Sequence, residues 1–231
     1  MKAEDYKTTN QARDYQYRRF GNGLLLVSQD EISLLDSWLS LISASQSNSY
    51  LDLGAGTGRI TGELLRRKPR MVYALDTSAA MLTLLQKNHS REIKKQKLKI
   101  LSASSNEIPL ESASIDLITA FHLFKHLPDI NPTLKEAYRV LKPGGYLIFD
   151  VLNKNSLVRL HLGTCYALSQ TSIKNKLGKN SFKIIEMSPL NIFGETAYNF
   201  PIPILVYNID KLFSRLTPKF ATKFFVLAQK L

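Results

Sequence analysis

Residues 50–58 read YLDLGAGTG, an apolar run that ends in a loop with glycine at every second position. The apolar run predicts a buried strand, and the glycines allow the backbone to turn sharply from that strand into a helix. Because glycine has no Cβ, a ligand can also lie against the backbone of such a loop. The stretch therefore predicts a ligand-binding loop between a strand and a helix.

A carboxylate follows this loop at the spacing typical of adenine nucleoside sites. Asp76 lies about twenty residues further on, directly after a second predicted strand at 71–75. From the tip of a neighbouring strand it can accept hydrogen bonds from both ribose hydroxyls. Nicotinamide cofactors fit less well, because their G-x-G-x-x-G pattern requires a third glycine. Counted from Gly54 or Gly56, that position is occupied by Arg59 or Thr61. The phosphate-binding pattern G-x-x-x-x-G-K-S/T is absent, because Asn180 follows the one Gly-Lys pair.

Outward from this loop, strand-like runs alternate with helical stretches. Residues 142–145, KPGG, predict a helix end followed by a turn. Alternation of this kind is typical of a parallel sheet with helices on both faces, so we predict an α/β fold with a Rossmann-like, doubly wound sheet. Further strands are predicted at 98–101, 115–120, 146–151, 182–187 and 222–227, and helices at 31–42, 58–67, from Ser78 onward and at 132–141.

Composition restricts the class of protein and its cofactor chemistry. The 231 residues fit one large domain, and 44% hydrophobic with 22% charged residues exclude collagen-like, coiled-coil and wholly disordered chains. A single cysteine, Cys165, and four histidines can build neither an internal disulfide nor a cysteine-histidine zinc cluster. We therefore expect no metal and a reducing compartment, the cytoplasm. The sequence has no recognisable signal peptide or membrane-spanning run.

Positive charge is concentrated in the last third of the chain. The net charge is +12, from 31 Lys and Arg against 19 Asp and Glu, and residues 151–231 hold 11 basic against 3 acidic residues, a net +8. The same third is rich in aromatic residues. This combination fits binding to nucleic acid, to an anionic membrane surface or to an acidic acceptor. It also fits an ordinary soluble surface over an aromatic core, so composition leaves the alternatives open.

Five segments, in order along the chain, resemble the motifs of class I S-adenosylmethionine-dependent methyltransferases, of the methyltransferase type 11 and ubiquinone/menaquinone biosynthesis type. They are LDLGAGTG at 51–58, ALDTSAAML at 74–82, ASSNEIPL at 103–110, SIDLI at 114–118 and RVLKPGG at 139–145. Residues 12–20 are similar to the family's YxxxRF segment, and 171–185 and 220–230 to its closing helix and strands. The resemblance implies a seven-stranded sheet, mostly parallel, with an antiparallel last strand.

The resemblance also implies the cofactor, S-adenosyl-L-methionine, and the residues that bind it. Many relatives have Asp at the position of Ser104, where a serine hydroxyl accepts a weaker hydrogen bond from the adenine amino group. For Asp52, a structural role beneath the glycine loop is an alternative to cofactor contact. The cofactor-binding residues predicted in this way are Tyr15, Arg19, Asp52, Gly54, Ala55, Gly56, Asp76, Thr77, Met81, Ser104, Ser105 and Phe121.

The implied function is in-line methyl transfer to a small, apolar acceptor. No catalytic residue is identified by the sequence. His122 and His126 follow the fourth strand near the expected acceptor pocket, and Phe200 and Tyr207 lie in the late aromatic segment, so these four are candidate substrate-binding residues. Two alternatives stay open: an RNA or protein methyltransferase that uses the basic last third, and a non-catalytic cofactor-binding module.

The resemblance divides a single domain, 1–231, into four parts. Residues 1–46 are predicted to form an N-terminal helical cap, 47–153 the cofactor-binding core, 154–220 an acceptor lid with a late strand, and 221–231 a closing strand. The apolar runs of the lid either pack on the sheet as core, or in part line a cavity or touch a membrane surface. A lipid-like or membrane-associated acceptor would make the protein peripheral to a membrane.

Overall fold

The structure, a computed structural model, describes residues 8–20, 24–43, 48–157, 165–193, 197–198 and 202–231. For residues 15–20, Pro203 and Arg215 it describes the backbone alone. The described residues form one mixed sheet that carries apolar packing on both faces.

The sheet has the predicted fold class, and its strand path confirms the predicted doubly wound arrangement. The strands are β1 (Ser49–Leu53), β2 (Met71–Asp76), β3 (Leu98–Ser102), β4 (Ile115–Ala120), β5 (Leu141–Asn153), β6 (Ala167–Leu168), β7 (Phe182–Leu190) and β8 (Lys223–Lys230). Their order is β3-β2-β1-β4-β5-β8-β7, with β6 paired to β5. The last strand, β8, runs antiparallel to β5 and β7, and the other pairs are parallel. The sheet thus has eight strands, because the two-residue β6 adds to the predicted seven.

The helices connect the strands and cover the sheet. They are α1 (Thr9–Phe20), α2 (Leu24–Leu41), α3 (Arg59–Arg66), α4 (Ala79–Asn88), α5 (Ser90–Lys94), α6 (Asn131–Val140), α7 (Gln170–Lys179) and α8 (Pro203–Leu216). Two short 3-10 turns lie at Phe124–His126 and Pro218–Phe220. The predicted start of α4 at Ser78 is confirmed, since the Ser78 Oγ accepts a hydrogen bond from the Met81 backbone N–H at 3.3 Å.

Buried apolar side chains cover both faces of the sheet. On one face, Leu134 of α6 and Ile173 of α7 belong to the cluster that packs on the strands. On the other face, Trp38 of α2 and Leu64 of α3 do the same. β1 is buried along its whole length, as expected for a parallel strand covered on both sides. The helix α2, part of the predicted N-terminal cap, is therefore also part of the core packing.

The predicted turn after α6 is instead a bulge within β5. Pairing of β5 with β4 shifts between Ile115 and Leu117, so residues 142–145 bulge out opposite Asp116. Gly144 has a φ of 76°, a conformation that favours glycine. The helix ends as predicted, but strand pairing continues on both sides of the glycines, and the segment stays in the sheet.

The predicted segment 154–220 contains β6, α7, β7 and α8 among its described residues. Its strand β7 pairs with β8 along most of its length, so this part extends the sheet. In the described part of the chain, every helix is too short or too polar to cross a membrane.

Candidate functional site

A cavity of about 310 Å³ opens at the carboxyl ends of β1, β2 and β4. Its walls come from the glycine loop, the connection between β2 and α4, residues 103–105 and residues 121–127. A pocket of this size at the strand ends of an α/β sheet can hold a nucleoside-sized ligand. Ten of the twelve predicted cofactor residues line it, namely Asp52, Gly54, Ala55, Gly56, Asp76, Thr77, Met81, Ser104, Ser105 and Phe121.

The glycine loop takes a backbone shape that only glycine adopts without strain. Gly54, Gly56 and Gly58 have φ values of 70°, 55° and 93°. Backbone N–H groups of Gly54 and Ala55 donate to the Leu75 carbonyl at 2.8 and 3.0 Å, which fixes the loop against β2. A Cβ placed on Gly56 would meet no protein atom within 4 Å, so this position faces open cavity. The loop therefore presents bare backbone to a ligand.

Asp76 closes the same cavity from the end of β2. Its Oδ2 accepts a hydrogen bond from the Gly56 N–H at 2.9 Å, and its Oδ1 accepts one from the Ser78 N–H at 2.8 Å. Burial raises the pKa of this carboxyl, and the backbone hydrogen bonds oppose the rise. An ionised carboxylate has about four acceptor positions, so both oxygens can accept further hydrogen bonds from a ligand.

Asp52 lies behind the glycine loop. It is fully buried, and its two oxygens accept hydrogen bonds from the hydroxyls of Thr61 in α3, at 2.7 Å, and Thr119 in β4, at 2.9 Å. Burial raises its pKa to about 6, against the effect of these hydrogen bonds. Because this carboxylate is almost fully buried and joins α3 to β4 through the two hydroxyls, the contacts favour the structural alternative for this residue.

The cavity is also lined by Ser104, Ser105, Met81 and Phe121. Ser104 is exposed, and its Oγ accepts a hydrogen bond from the Asn106 N–H at 3.2 Å. Ser105 is buried, with its Oγ 3.0 Å from the hydroxyl of a threonine in α6. Met81 and Phe121 are buried and supply apolar surface. A flat, weakly polar group such as a purine ring fits between such walls.

Five ionisable side chains meet beside the cavity, and sequence reasoning had selected only His122 among them. They are Glu31 in α2, Arg59 in α3, His122 after β4, Asp150 in β5 and Lys223 in β8, here called the ionic cluster. Glu31 Oε2 lies 2.7 Å from Arg59 Nη2 and 3.1 Å from His122 Nε2. Its Oε1 accepts a hydrogen bond from Lys223 Nζ. Because Arg59 and His122 line the cavity, Glu31 joins α2 to the cavity wall.

His122 is held from both sides of its ring. Asp150 accepts a hydrogen bond from the His122 backbone N–H, and Asp150 Oδ2 lies 3.4 Å from His122 Nδ1. Glu31 faces the other ring nitrogen. The residue has a φ of 59°, in the left-handed region that few residues other than glycine adopt. The carboxylates on both sides therefore fix the ring orientation at the end of β4.

Opposite charges keep the two buried carboxylates of the ionic cluster ionised. Burial raises the pKa of Glu31, but His122, Lys223 and Arg59 outweigh it and hold that pKa well below its ordinary value. For Asp150, burial also opposes ionisation, and His122 and Lys223 lower the pKa below its ordinary range. A buried carboxylate without such partners would be costly.

A sequence signal for the ionic cluster does exist. Glu31 follows buried Val27 by four positions and precedes buried Leu35 by four, so it occupies the apolar stripe of α2. Asp150 likewise interrupts the buried apolar run of β5. A charged residue at a position that periodicity assigns to the core predicts a buried ion pair, but it does not identify the partner.

For three predicted site residues, Tyr15, Arg19 and Phe200, the structure describes no side chain. Tyr15 and Arg19 belong to α1, but their side chains are outside the described set. In α1, Ala12 is fully buried beside Met81, so the helix runs close to one cavity wall. Phe200 lies outside the described residues.

The other two substrate candidates occupy different places. His126 lines the cavity. Tyr207 in α8 is not among the lining residues, and its hydroxyl donates to Asp30 Oδ1 at 2.8 Å. Among the described residues, no group of three or more His, Cys, Asp or Glu side chains could hold a metal ion.

Known proteins match both the sequence of the core and the fold. The family model described as a methyltransferase domain matches residues 51–149. A malonyl-[acyl-carrier protein] O-methyltransferase from Marinomonas sp. is 32% identical over 125 residues, which are 54% of this chain and 45% of that protein. A ubiquinone/menaquinone biosynthesis C-methyltransferase from Agrobacterium fabrum is 32% identical over 117 residues, 49% of this chain and 45% of that protein. The chain thus aligns with a little under half the length of these relatives.

Among solved structures, magnesium protoporphyrin IX methyltransferase from Synechocystis with bound SAH has a TM-score of 0.72. It is 14% identical, and the match covers 99% of this chain and 97% of that one. A similarity of this kind establishes the fold. The resemblance inferred from the five motifs is confirmed over the matched core.

Proposed function

On the premise that residues 51–149 belong to the methyltransferase domain family, we propose that the chain is an S-adenosylmethionine-dependent methyltransferase with the cofactor bound in the cavity at the strand ends. The observation that carries this proposal is the pairing of the glycine loop with Asp76. The Gly56 N–H and the Asp76 carboxylate are 2.9 Å apart at one end of the cavity, where a nucleoside would meet both.

The residues of the cavity fit this cofactor. A Cβ on Gly56 would project into open space, so the absence of a side chain there lets the cofactor lie directly against the backbone of the loop. Asp76 has acceptor positions for the two ribose hydroxyls. Ser104 can accept from the adenine amino group, and Met81 and Phe121 offer apolar contact to the ring. Asp52 supports the loop from behind through its threonine hydrogen bonds.

When bound, the cofactor supplies an activated methyl group on a sulfonium, which is transferred in line to a nucleophile. The contribution of this chain is to align the acceptor with that methyl group and to exclude water, which can account for roughly 7 to 11 kcal/mol of the barrier. Carboxylates face both ring nitrogens of His122 and hold the ring in one orientation. His126 also lines the cavity and is a candidate general base.

We propose a small, apolar acceptor. The lining of the cavity includes the apolar side chains of Ile60, Leu123 and Leu127, which suit an apolar molecule. The relatives are named for malonyl-[acyl-carrier protein] and for ubiquinone and menaquinone biosynthesis, and these names point to metabolites or carrier-bound metabolites. An RNA or protein acceptor that binds the basic last third is the alternative, with a non-catalytic cofactor-binding module as the third reading.

The four-part division of the domain belongs to the same proposal. The N-terminal cap, residues 1–46, contributes Glu31 to the cavity wall through the ionic cluster. The acceptor lid, residues 154–220, is tied to the cap by the hydrogen bond from Tyr207 to Asp30. These contacts support the proposal that the cap and the lid shape the acceptor side, that 47–153 holds the cofactor and that 221–231 completes the sheet.

Calorimetric titration with S-adenosylmethionine and its demethylated product tests cofactor binding. Asp76→Ala leaves two ribose hydroxyls without a charged acceptor and should weaken binding by roughly 1.5 to 3 kcal/mol. Gly56→Val fills cavity space and should abolish binding. The matched control is Asp36→Ala, which removes an exposed carboxylate of α2 away from the cavity. Tight NADH binding with no response to S-adenosylmethionine would refute the proposal.

A turnover screen over metabolite and RNA extracts, with mass analysis of the methylated product, then separates the acceptor classes. An RNA acceptor requires contacts to several phosphates, so its binding should weaken steeply as salt is raised. A small apolar acceptor should show little salt dependence. Cofactor binding without any turnover would favour the non-catalytic module.

A further inference from the structure

The helix α8 has an apolar face that stays exposed within the part of the chain that the structure describes. Its outward residues, together with the residue before it, have exposed fractions between 38% and 68%. Leu205, Ile209, Leu212 and Leu216 follow one another at spacings of four, three and four, which places them on one side of the helix. The full set is Ile202, Ile204, Leu205, Ile209, Leu212, Phe213 and Leu216, here called the α8 face.

The opposite side of α8 is fixed to the protein. Asp210 is buried, and its Oδ1 accepts hydrogen bonds from the backbone N–H groups of Ile192 at 2.6 Å and Phe193 at 3.0 Å. Its Oδ2 accepts a hydrogen bond from the Tyr198 hydroxyl. The helix cannot roll to bury the α8 face without breaking these buried hydrogen bonds. The exposure therefore follows from how the helix is anchored.

Positive charge accompanies the α8 face. Residues 202–220, which comprise α8 and its flanks, contain three basic residues, Lys211, Arg215 and Lys219, and one acidic residue, the buried Asp210. Lys211 is about half exposed beside α2, and Lys219 follows in the turn after the helix, with its Nζ 4.9 Å from the Phe220 ring centroid. An apolar helix face in a basic region is the combination that binds an anionic lipid surface.

We propose that the α8 face docks the protein on the surface of an anionic lipid bilayer. A helix of 14 residues is about 21 Å long, which is too short to cross a bilayer but long enough to lie in its interface. The α8 face enters the boundary between headgroups and acyl chains, and the basic residues meet the lipid phosphates. This inference goes beyond the proposed function and does not depend on catalysis.

Docking through α8 would bring the cavity near the lipid surface. The Tyr207 hydroxyl donates to Asp30 Oδ1 at 2.8 Å, and Lys211 Nζ lies 3.0 Å from the same oxygen. The next residue, Glu31, contacts Arg59 and His122 in the cavity wall. A chain of direct contacts thus connects the docked helix with the acceptor side of the site, where an apolar acceptor could arrive from the bilayer.

Vesicle flotation with the full chain tests the proposal. The wild type should float with vesicles of equal parts phosphatidylglycerol and phosphatidylcholine, and only weakly with phosphatidylcholine alone. Leu212→Gln with Leu216→Gln should lower the partition coefficient at least about tenfold, since two exposed leucines no longer enter the lipid. The matched control, Leu41→Gln with Ile185→Gln, changes two exposed apolar residues outside the α8 face and should bind as the wild type does.

A charge variant separates the electrostatic contribution. Lys219→Gln should weaken binding to the anionic vesicles about fivefold and leave the weak binding to neutral vesicles unchanged. Folding of each variant is checked by circular dichroism, and cofactor titration is run in parallel. Normal cofactor binding with lost flotation supports docking by the α8 face. Failure of cofactor binding in the wild type contradicts the proposed function and leaves the flotation result valid.

Two results overturn the docking proposal. One is equal flotation of the wild type and the Leu212 and Leu216 variant. The other is a wild type that does not float and is a dimer by light scattering, together with a monomeric Leu212→Gln and Leu216→Gln variant. In that case a second copy of the chain covers the α8 face.

Discussion

Replacing Glu31 by glutamine should destabilise the fold strongly, although the side chain keeps its size. The carboxylate is 2% exposed and is in contact with Arg59, His122 and Lys223. Glutamine retains one acceptor oxygen but removes the negative charge. His122 and Lys223 then keep only the charge of Asp150, and Arg59 loses its ion pair. Breaking a buried ion pair by removing one partner costs about 3 to 5 kcal/mol. That is a large part of the total stability of an ordinary domain, about 5 to 15 kcal/mol.

Urea unfolding measures this loss. Trp38 is the one tryptophan of the chain, and it is buried in α2 seven residues after Glu31, so its fluorescence reports directly on the helix that the ionic cluster holds. Far-ultraviolet circular dichroism reports on the whole fold. Coincident transitions would justify a two-state analysis. A fluorescence transition that precedes the circular dichroism transition would mean that α2 detaches first.

The effect should depend on pH with a defined sign. The pKa of Glu31 is well below its ordinary value in the folded state, so its contribution is fully present above the unfolded pKa of about 4.3. It is lost as the pH falls through the folded pKa. The difference in unfolding free energy between wild type and Glu31→Gln should therefore be constant above about pH 5 and shrink at lower pH.

Asp36→Asn is the matched control, because Asp36 lies on the same helix and also pairs with an arginine, Arg67, but at the surface. An exposed pair contributes about 0 to 1 kcal/mol, so this variant should stay close to the wild type. If both substitutions cost the same, or if Glu31→Gln costs under about 1 kcal/mol, the ionic cluster does not hold α2 on the sheet.

Three further predictions concern the loop and the cofactor. Burial raises the pKa of Asp52 to about 6, so the wild type loses stability as the pH rises through that value, and Asp52→Asn should cost about 1 kcal/mol less at pH 7.5 than at pH 5 in urea unfolding. Gly58→Ala places a Cβ 2.7 Å from His89 Nε2 at a φ of 93°, and should lower the midpoint of thermal unfolding. The control, Gly178→Ala in α7, adds a Cβ with no atom within 4 Å and should leave that midpoint unchanged or raise it. Ser104→Asp restores a charged acceptor for the adenine amino group, so calorimetry should show S-adenosylmethionine binding several-fold tighter; weaker binding would place the adenine elsewhere.

Local signals predicted that the glycine loop and Asp76 would lie together, and both line one cavity. The glycines of 54–58 and the acid at 76 follow strand ends, and parallel strands bring their carboxyl ends to one edge. The order of the five motifs indicated the resemblance to methyltransferases, and the methyltransferase domain model matches residues 51–149. One local prediction was incomplete: residues 142–145 end a helix as expected, but the neighbouring strand draws them into a bulge, because pairing with β4 resumes beyond the glycines.

The ionic cluster could not be predicted in the same way. Its five members come from α2, α3, the end of β4, β5 and β8, and Glu31 and Lys223 are 192 positions apart. No spacing rule connects residues so distant in sequence. The buried positions of Glu31 and Asp150 could be suspected from periodicity, but their partners depend on which helix covers which strand.

The sequence by itself determined the strands, the glycine loop and the position of Asp76, because backbone preference, hydrophobic periodicity and turn chemistry act over a few neighbouring residues. Only the tertiary structure decided which apolar residues of the lid are buried and which charges meet. Ile192 is in the core, whereas Leu212 is exposed, although both lie in similar apolar runs. The difference arises because the buried hydrogen bonds of Asp210 fix the orientation of α8, which leaves its other side exposed. These hydrogen bonds join residues 12 to 18 positions apart, so local sequence does not determine them.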